Sequence, residues 1–232
     1  MNMATDNYTK IKAQVEAAAQ NSPFHKDVTL LAVSKTHPVS DIMKIYEEGQ
    51  RDFGENKPQE LAMKYEQLPK DIRWHMIGHL QTNKIKYIID KVCMIHSVDS
   101  VKLAHAIDIE AAKHGLIMPV LVEVNIADEP SKSGIKISET VDFLKEISML
   151  ENIKVQGLMC IPPVAENKDD NADFFRILRN LSIDIKALNI DNIEMNILSM
   201  GMSDDFESAI HEGADIVRIG TAIFGMRDYS NM

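Results

Sequence analysis

Cysteine is scarce in this chain of 232 residues: Cys93 and Cys160 are far apart and lack the C-x-x-C spacing of a zinc site or redox pair. A disulfide framework is thereby excluded, and two buried thiols in a reducing cytoplasm are the expectation. Long apolar runs are also missing. Nothing approaches the roughly 18 consecutive apolar residues that span a bilayer, and "MNMATDNYTKIKAQVEAAAQ" has no basic segment followed by an apolar one. A soluble cytoplasmic protein without a membrane partner is expected. Basic clusters are missing too: with a net charge of −10 and a pI near 5.3, no lysine or arginine run offsets the acidic balance. Such a surface repels a phosphate backbone, so nucleic acid is not expected as a partner.

What is present is an ordinary globular composition, 45% hydrophobic and 26% charged, in a length that suits one α/β barrel. One domain over residues 1–232 is expected. Eight short apolar runs recur: "VTLLAVS" from 28, "RDFG" from 51, "IRWHMIG" from 72, "VCMIHS" from 92, "PVLVEVN" from 119, "IKVQGLMCI" from 153, "MNILSMG" from 195 and "DIVRIG" from 215. Most are continuously apolar, as strands of a parallel sheet covered on both faces are. Between them lie helical patterns, such as Ile42, Ile45 and Tyr46 after a cap candidate Ser40, and Leu103, Ala104 and Ile107 after Ser100; others follow Ser138 and Ser203. The count of eight favours a (β/α)8 TIM barrel over an open doubly wound sheet, with an extra N-terminal helix near 5–20.

In either fold ligands meet the carboxyl ends of the strands. Lys35 follows "LLAVS" at the first such end. Low-dielectric walls there disfavour an ammonium, and a neutral amine attacks aldehydes; the plainer reading is a solvated lysine opening a loop. Barrel phosphate sites often combine the last two strand-end loops with a helix N-terminus. Here these loops read "SMGMSDDFESAI" and "RIGTAIFG". Gly201 permits close backbone approach, and Ser203 can cap the next helix or offer its hydroxyl to a phosphate. Asp204 and Asp205, awkward beside an anion, are expected to point away. Gly220 and Thr221 offer N–H and hydroxyl donors, and Arg218 projects from the strand end.

An aldehyde-reactive amine opposite a phosphate cup suits pyridoxal 5'-phosphate (PLP). The stretches "AVSKTHP", "FGENKPQE", "WHMIGHLQTNK", "IHSVDS", "VNIADEPSKSG", "LSMGMSDDFESAI" and "VRIGTAIFGMRDY" together resemble the pyridoxal phosphate homeostasis protein family, relatives of the alanine racemase N-terminal barrel. The resemblance implies a Schiff base on Lys35, a phosphate held by Ser203, Gly220 and Thr221, Arg218 facing the pyridine nitrogen, and Asn56 lining the same pocket. It also implies a role in intracellular vitamin B6 homeostasis, with PLP-dependent apoenzymes as possible recipients.

Two further expectations weigh carrier against enzyme. An arginine at the ring nitrogen keeps that nitrogen unprotonated and weakens the ring as an electron sink. The racemase relatives take a tyrosine from an additional β domain, for which the stretch after the eighth strand leaves no room. A PLP-binding monomer without catalytic residues is therefore expected, with a weak PLP-dependent amino-acid racemase as the alternative and a lysine aldolase of sugar phosphates as a third reading. His75 and His79 have the spacing of zinc ligands on a helix but fall on a strand and its end, so no metal is expected. "SKSG" at 131–134 suits either a lid or a turn.

Overall fold

Aliphatic and β-branched residues bury both faces of their strands here, which requires layers inside and outside the sheet. A computed structural model describes residues 3–130, 132–164 and 170–225. Its strands are β1 (Thr29–Val33), β2 (Asp52–Glu55), β3 (Arg73–Met76), β4 (Val92–Val98), β5 (Met118–Asn125), the two-residue β6 (Ile135–Lys136), β7 (Ile153–Cys160), β8 (Ile193–Ser199) and β9 (Ile216–Ile219). All pairings are parallel. The order β4-β3-β2-β1-β9-β8-β7-β5 closes through β4 against β5, giving a barrel of eight strands, and β6 adds to β5 outside the ring. First and last strands are neighbours, with Thr29 beside Ile216 and Leu31 beside Arg218.

Alternation along each strand splits the apolar residues into two cores. Leu31, Val33, Ile77, Met94, Leu121, Met159 and Ile216 fill the barrel interior. Ala32, Phe53, Trp74, Val122, Leu158 and Val217 face outward and pack against the helices. These are α1 (Met3–Asn21), α2 (Val39–Glu47), α3 (Pro58–Gln67), α4 (Val101–Lys113), α5 (Thr140–Ile147), α6 (Ala172–Ala187), α7 (Phe206–His211) and α8 (Thr221–Phe224). The extra helix α1 buries Ala4, Tyr8, Ile11, Val15 and Ala19, one stripe at helical spacing, and packs beside α7 and α8.

Of the four serines expected as caps, Ser100 alone has that role, its hydroxyl accepting the N–H of Leu103 at 3.3 Å. Ser40 lies inside α2, which Pro38 starts: its φ of −71° suits a helix entry, and its ring has no N–H to leave unpaired. Ser138 falls in a 3-10 turn before α5, and α7 begins only after Asp205.

Candidate binding pocket at the barrel mouth

Lys35 enters the site on a turn held from two sides. Lys64 of α3 is buried, and its ammonium donates to the Ser34 carbonyl at 2.8 Å, to Glu55 Oε1 at 2.7 Å and to Glu60 Oε1 at 2.7 Å. Glu55 Oε1 also accepts the Ser34 hydroxyl at 2.6 Å, while Glu60 Oε1 accepts the N–H of Thr36 at 2.6 Å. Burial pushes the Glu55 carboxyl up to about 7 although Lys64 pulls it down. The ammonium has three donors and three acceptors, which is how a buried charge is tolerated.

A cavity of about 210 Å³ opens beside this turn. Lys35, Asn56, Ser203, Arg218, Gly220 and Thr221, all six of the residues expected at the site, line it together. Beside Asp204, five further members of its wall were given no binding role from the sequence: Val33, His37, Ile77, Ile161 and Met202. The His37 ring stacks on Phe224 at 4.7 Å. Its position two residues after Lys35 was the available signal.

The cup is built from two tight approaches. Gly201 has a φ of +88°, and a Cβ there would come within 2.5 Å of the Ala209 Cβ, so the loop lies flat on α7. A Cβ at Gly220 would meet the Val33 carbonyl oxygen at 3.1 Å, where the end of β9 presses against the end of β1. Ser203 does not cap α7; its Oγ accepts the N–H of Ala222 at 3.3 Å and so ties the seventh loop to the first turn of α8. That first turn has N–H groups with no intrahelical acceptor. Of the two acidic residues expected to point away, only Asp205 does. It is buried, accepting from the Met202 N–H at 2.6 Å and the Asn171 amide at 2.8 Å. This capture of Asp205 leaves Asp204 exposed on the cavity rim.

Arg218 is 4% exposed. Its Nη1 donates to the Ser199 carbonyl at 2.6 Å and the Ser199 hydroxyl at 2.9 Å, and its Nη2 donates to the Cys160 carbonyl at 2.8 Å. Desolvation by burial lowers its pKa from the ordinary arginine value. Three of the five guanidinium N–H donors are thus used. Asn56 Oδ1 is buried with no partner among the described residues, an orphaned acceptor of the kind a ligand satisfies.

A second cavity of about 280 Å³ shares Asn56, Ile77 and Ile161 with the first and continues to Glu123 and His79. Lys132 and Ser133 of "SKSG" form part of its wall, while Ser131 lies outside the described residues. Burial, reinforced by Asp99, pushes the Glu123 carboxyl up to about 7. His75 and His79 part company: His75 is buried in the barrel, whereas His79 is exposed and bonded to Asp99 at 3.1 Å. Among the described residues no group of three His, Cys, Asp or Glu side chains could hold a metal.

The family model described as "Alanine racemase, N-terminal domain" matches residues 7–228. The "Pyridoxal phosphate homeostasis protein" of Aquifex aeolicus is 41% identical over 228 residues, covering 97% of this chain and 99% of that protein. Its namesake from Escherichia coli K12 is 36% identical over 237 residues, covering 99% of each. Among solved structures, PipY of Synechococcus elongatus with PLP bound superposes with a TM-score of 0.83 at 31% identity, over 96% of this chain and 100% of that one. Alanine racemase from Corynebacterium glutamicum gives a TM-score of 0.73 at 16% identity over 98% of this chain and 63% of that one, a likeness of fold alone.

Proposed function

The chain belongs to the alanine racemase N-terminal domain family and, within it, to the pyridoxal phosphate homeostasis proteins, and from that premise we propose that it binds PLP and serves intracellular homeostasis of this cofactor. The observation that carries the reading is the meeting, in one cavity, of a lysine amine, a donor cup and a buried arginine from three strand ends. The orphaned Asn56 Oδ1 and the close backbone approaches at Gly201 and Gly220 fit a ligand with polar ring substituents and an anionic end.

When bound, PLP supplies an aldehyde that condenses reversibly with a primary amine and a ring that can accept electrons. Lys35 would hold it covalently through Nζ. Ser203, Gly220 and Thr221 would hold the phosphate, with hydroxyl and N–H donors that favour an anion. Arg218 would face the ring nitrogen. A guanidinium gives that nitrogen a hydrogen bond but no proton, which favours reversible holding over racemisation. The proposed setting is the cytoplasm, with PLP-dependent apoenzymes as recipients. The proposed working unit is a monomer, since one chain contributes every expected site residue.

The reading is tested by loading the protein with PLP, reducing with borohydride and mapping the modified residue by mass. Label on Lys35, absent in Lys35→Ala, together with passage of PLP from the unreduced protein to an unrelated apoenzyme, is the expected result. Label on another lysine removes Lys35 from the role. Racemase turnover that vanishes in Lys35→Ala replaces the carrier with an enzyme, and a colourless resting protein that traps a sugar phosphate replaces it with an aldolase.

A further inference from the structure

The barrel interior is not uniformly apolar. Arg218, Ser199, His96, His75 and Asp52 form one file of hydrogen bonds from the cavity to the opposite end of the barrel. Arg218 Nη1 lies 2.9 Å from Ser199 Oγ, which lies 3.0 Å from His96 Nδ1. His96 Nε2 lies 2.9 Å from His75 Nδ1, and His75 Nε2 lies 3.3 Å from Asp52 Oδ1. Ser199 ends β8 at the mouth and Asp52 begins β2 at the floor, so the file traverses the barrel lengthwise. Ser199 and His96 are fully buried, and His75 and Arg218 nearly so. At the floor Asp52 is held by Arg73, which donates to it through Nε at 2.7 Å and also through Nη2.

The Ser199 hydroxyl has two lone pairs and one proton, so it accepts from Arg218 and can either donate to His96 Nδ1 or accept from it. At the lower end the Asp52 carboxylate only accepts, so His75 presents its Nε2–H to it. A file that runs one way from Arg218 to Asp52 then requires the Ser199 hydroxyl to donate to His96 Nδ1, His96 Nε2–H to donate to His75 Nδ1, and both imidazoles to be Nε2–H tautomers. Burial, helped by the neighbouring His75 and Arg218, holds His96 well below the usual imidazole pKa, in keeping with that assignment. The groups that face His75 are Asp52, His96 and the Cys93 sulfur, 3.3 Å from Nε2; the Cys93 S–H itself donates to the Trp74 carbonyl at 3.3 Å.

We propose that Ser199, His96 and His75 are positioning residues for Arg218: a one-way file of hydrogen bonds, from guanidinium to carboxylate, that fixes which arginine donors face the cavity and ties them to the Asp52–Arg73 pair at the floor. The file orients and does not conduct, because it begins at a group that does not release a proton. Ser199 takes Nη1 and the Cys160 carbonyl takes one Nη2 hydrogen, so any donor offered to the cavity comes from Nε or the second Nη2 hydrogen. Its bearing on the ligand rests on the PLP reading, whereas the file itself does not.

The test has one arm for each. Long-range proton–nitrogen NMR of the labelled ligand-free protein should show His96 and His75 as neutral Nε2–H tautomers at pH 7. An Nδ1–H tautomer or an imidazolium at His96 overturns the file, whether or not PLP binds. In the second arm Ser199→Ala and His96→Leu should weaken PLP binding about tenfold, the loss of one hydrogen bond to a charged group, and should shift the absorption of the bound cofactor. His96→Gln, which can both accept and donate, should restore most of the affinity. Folded Ser199→Ala and His96→Leu variants with unchanged affinity and unchanged spectrum overturn the positioning role. If the unmodified protein fails to bind PLP, the function proposed above falls while the NMR arm still judges the file.

Discussion

Glu60 Oε1 accepts the N–H of Thr36 at 2.6 Å, so a side chain of α3 holds the residue after Lys35 in a left-handed conformation, φ 68°. A β-branched residue is disfavoured there and needs outside support. That support is shared, because the same oxygen also accepts from Lys64.

Removing the ammonium should therefore be costly. Lys64→Met leaves the buried Glu55 and the half-buried Glu60 carboxylates without their cation and should destabilise the fold by about 3 to 5 kcal/mol in urea melts. Glu60→Ala keeps the Glu55–Lys64 pair, should cost only about 1 to 2 kcal/mol, and should slow borohydride labelling of Lys35. A Lys64→Met protein as stable as the parent would show that the cluster does not hold this turn.

The phosphate site proposed at Ser203, Gly220 and Thr221 predicts a selective loss. Ser203→Ala and Thr221→Ala should each weaken PLP binding by roughly 1 to 3 kcal/mol while leaving unphosphorylated pyridoxal nearly unaffected. Equal losses for both ligands, measured by absorbance titration, would put the phosphate elsewhere.

Arg218→Glu replaces a donor with an acceptor that can share a proton with the ring nitrogen. The bound cofactor should then absorb as the ring-protonated form. Retained binding with an unchanged spectrum would mean that Arg218 does not contact that nitrogen.

Glu123 predicts a pH dependence of stability. Burial raises its carboxyl from an ordinary 4.5 to about 7, so between these values the folded chain binds more protons than the unfolded chain. Stability then falls as pH rises through this window, and the contribution is fully present only below it. Glu123→Gln should raise stability at pH 8 by roughly 1 to 3 kcal/mol and flatten the profile. Glu55, also raised to about 7, keeps part of the slope. No gain at pH 8 would refute the assignment.

The eight strands and the residues at their carboxyl ends are legible in the sequence because continuous apolar runs can be counted and strand ends face the mouth of any parallel α/β fold. Lys35, Gly220 and Thr221 are found that way. The contacts that His96, Ser199 and Glu123 make are not, since they depend on which residues of neighbouring strands share a layer, and register is not encoded within one strand. The helix starts at Pro38 and Asp205 were misjudged for a related reason. Asp205 is drawn inward by Asn171, a contact distant in sequence, and Ser203 is drawn to α8 instead of its own helix.

The pairing of β1 with β9 also has a temporal side. Lys35 leaves the ribosome early, and Ser203, Arg218 and Thr221 leave it late. At roughly 5 to 20 residues per second the two halves of the pocket are translated about 10 to 40 s apart. Throughout that interval Lys35 exists without the other residues proposed to hold PLP. On that reading a nascent chain is unable to hold the cofactor, and loading waits for the ring to close.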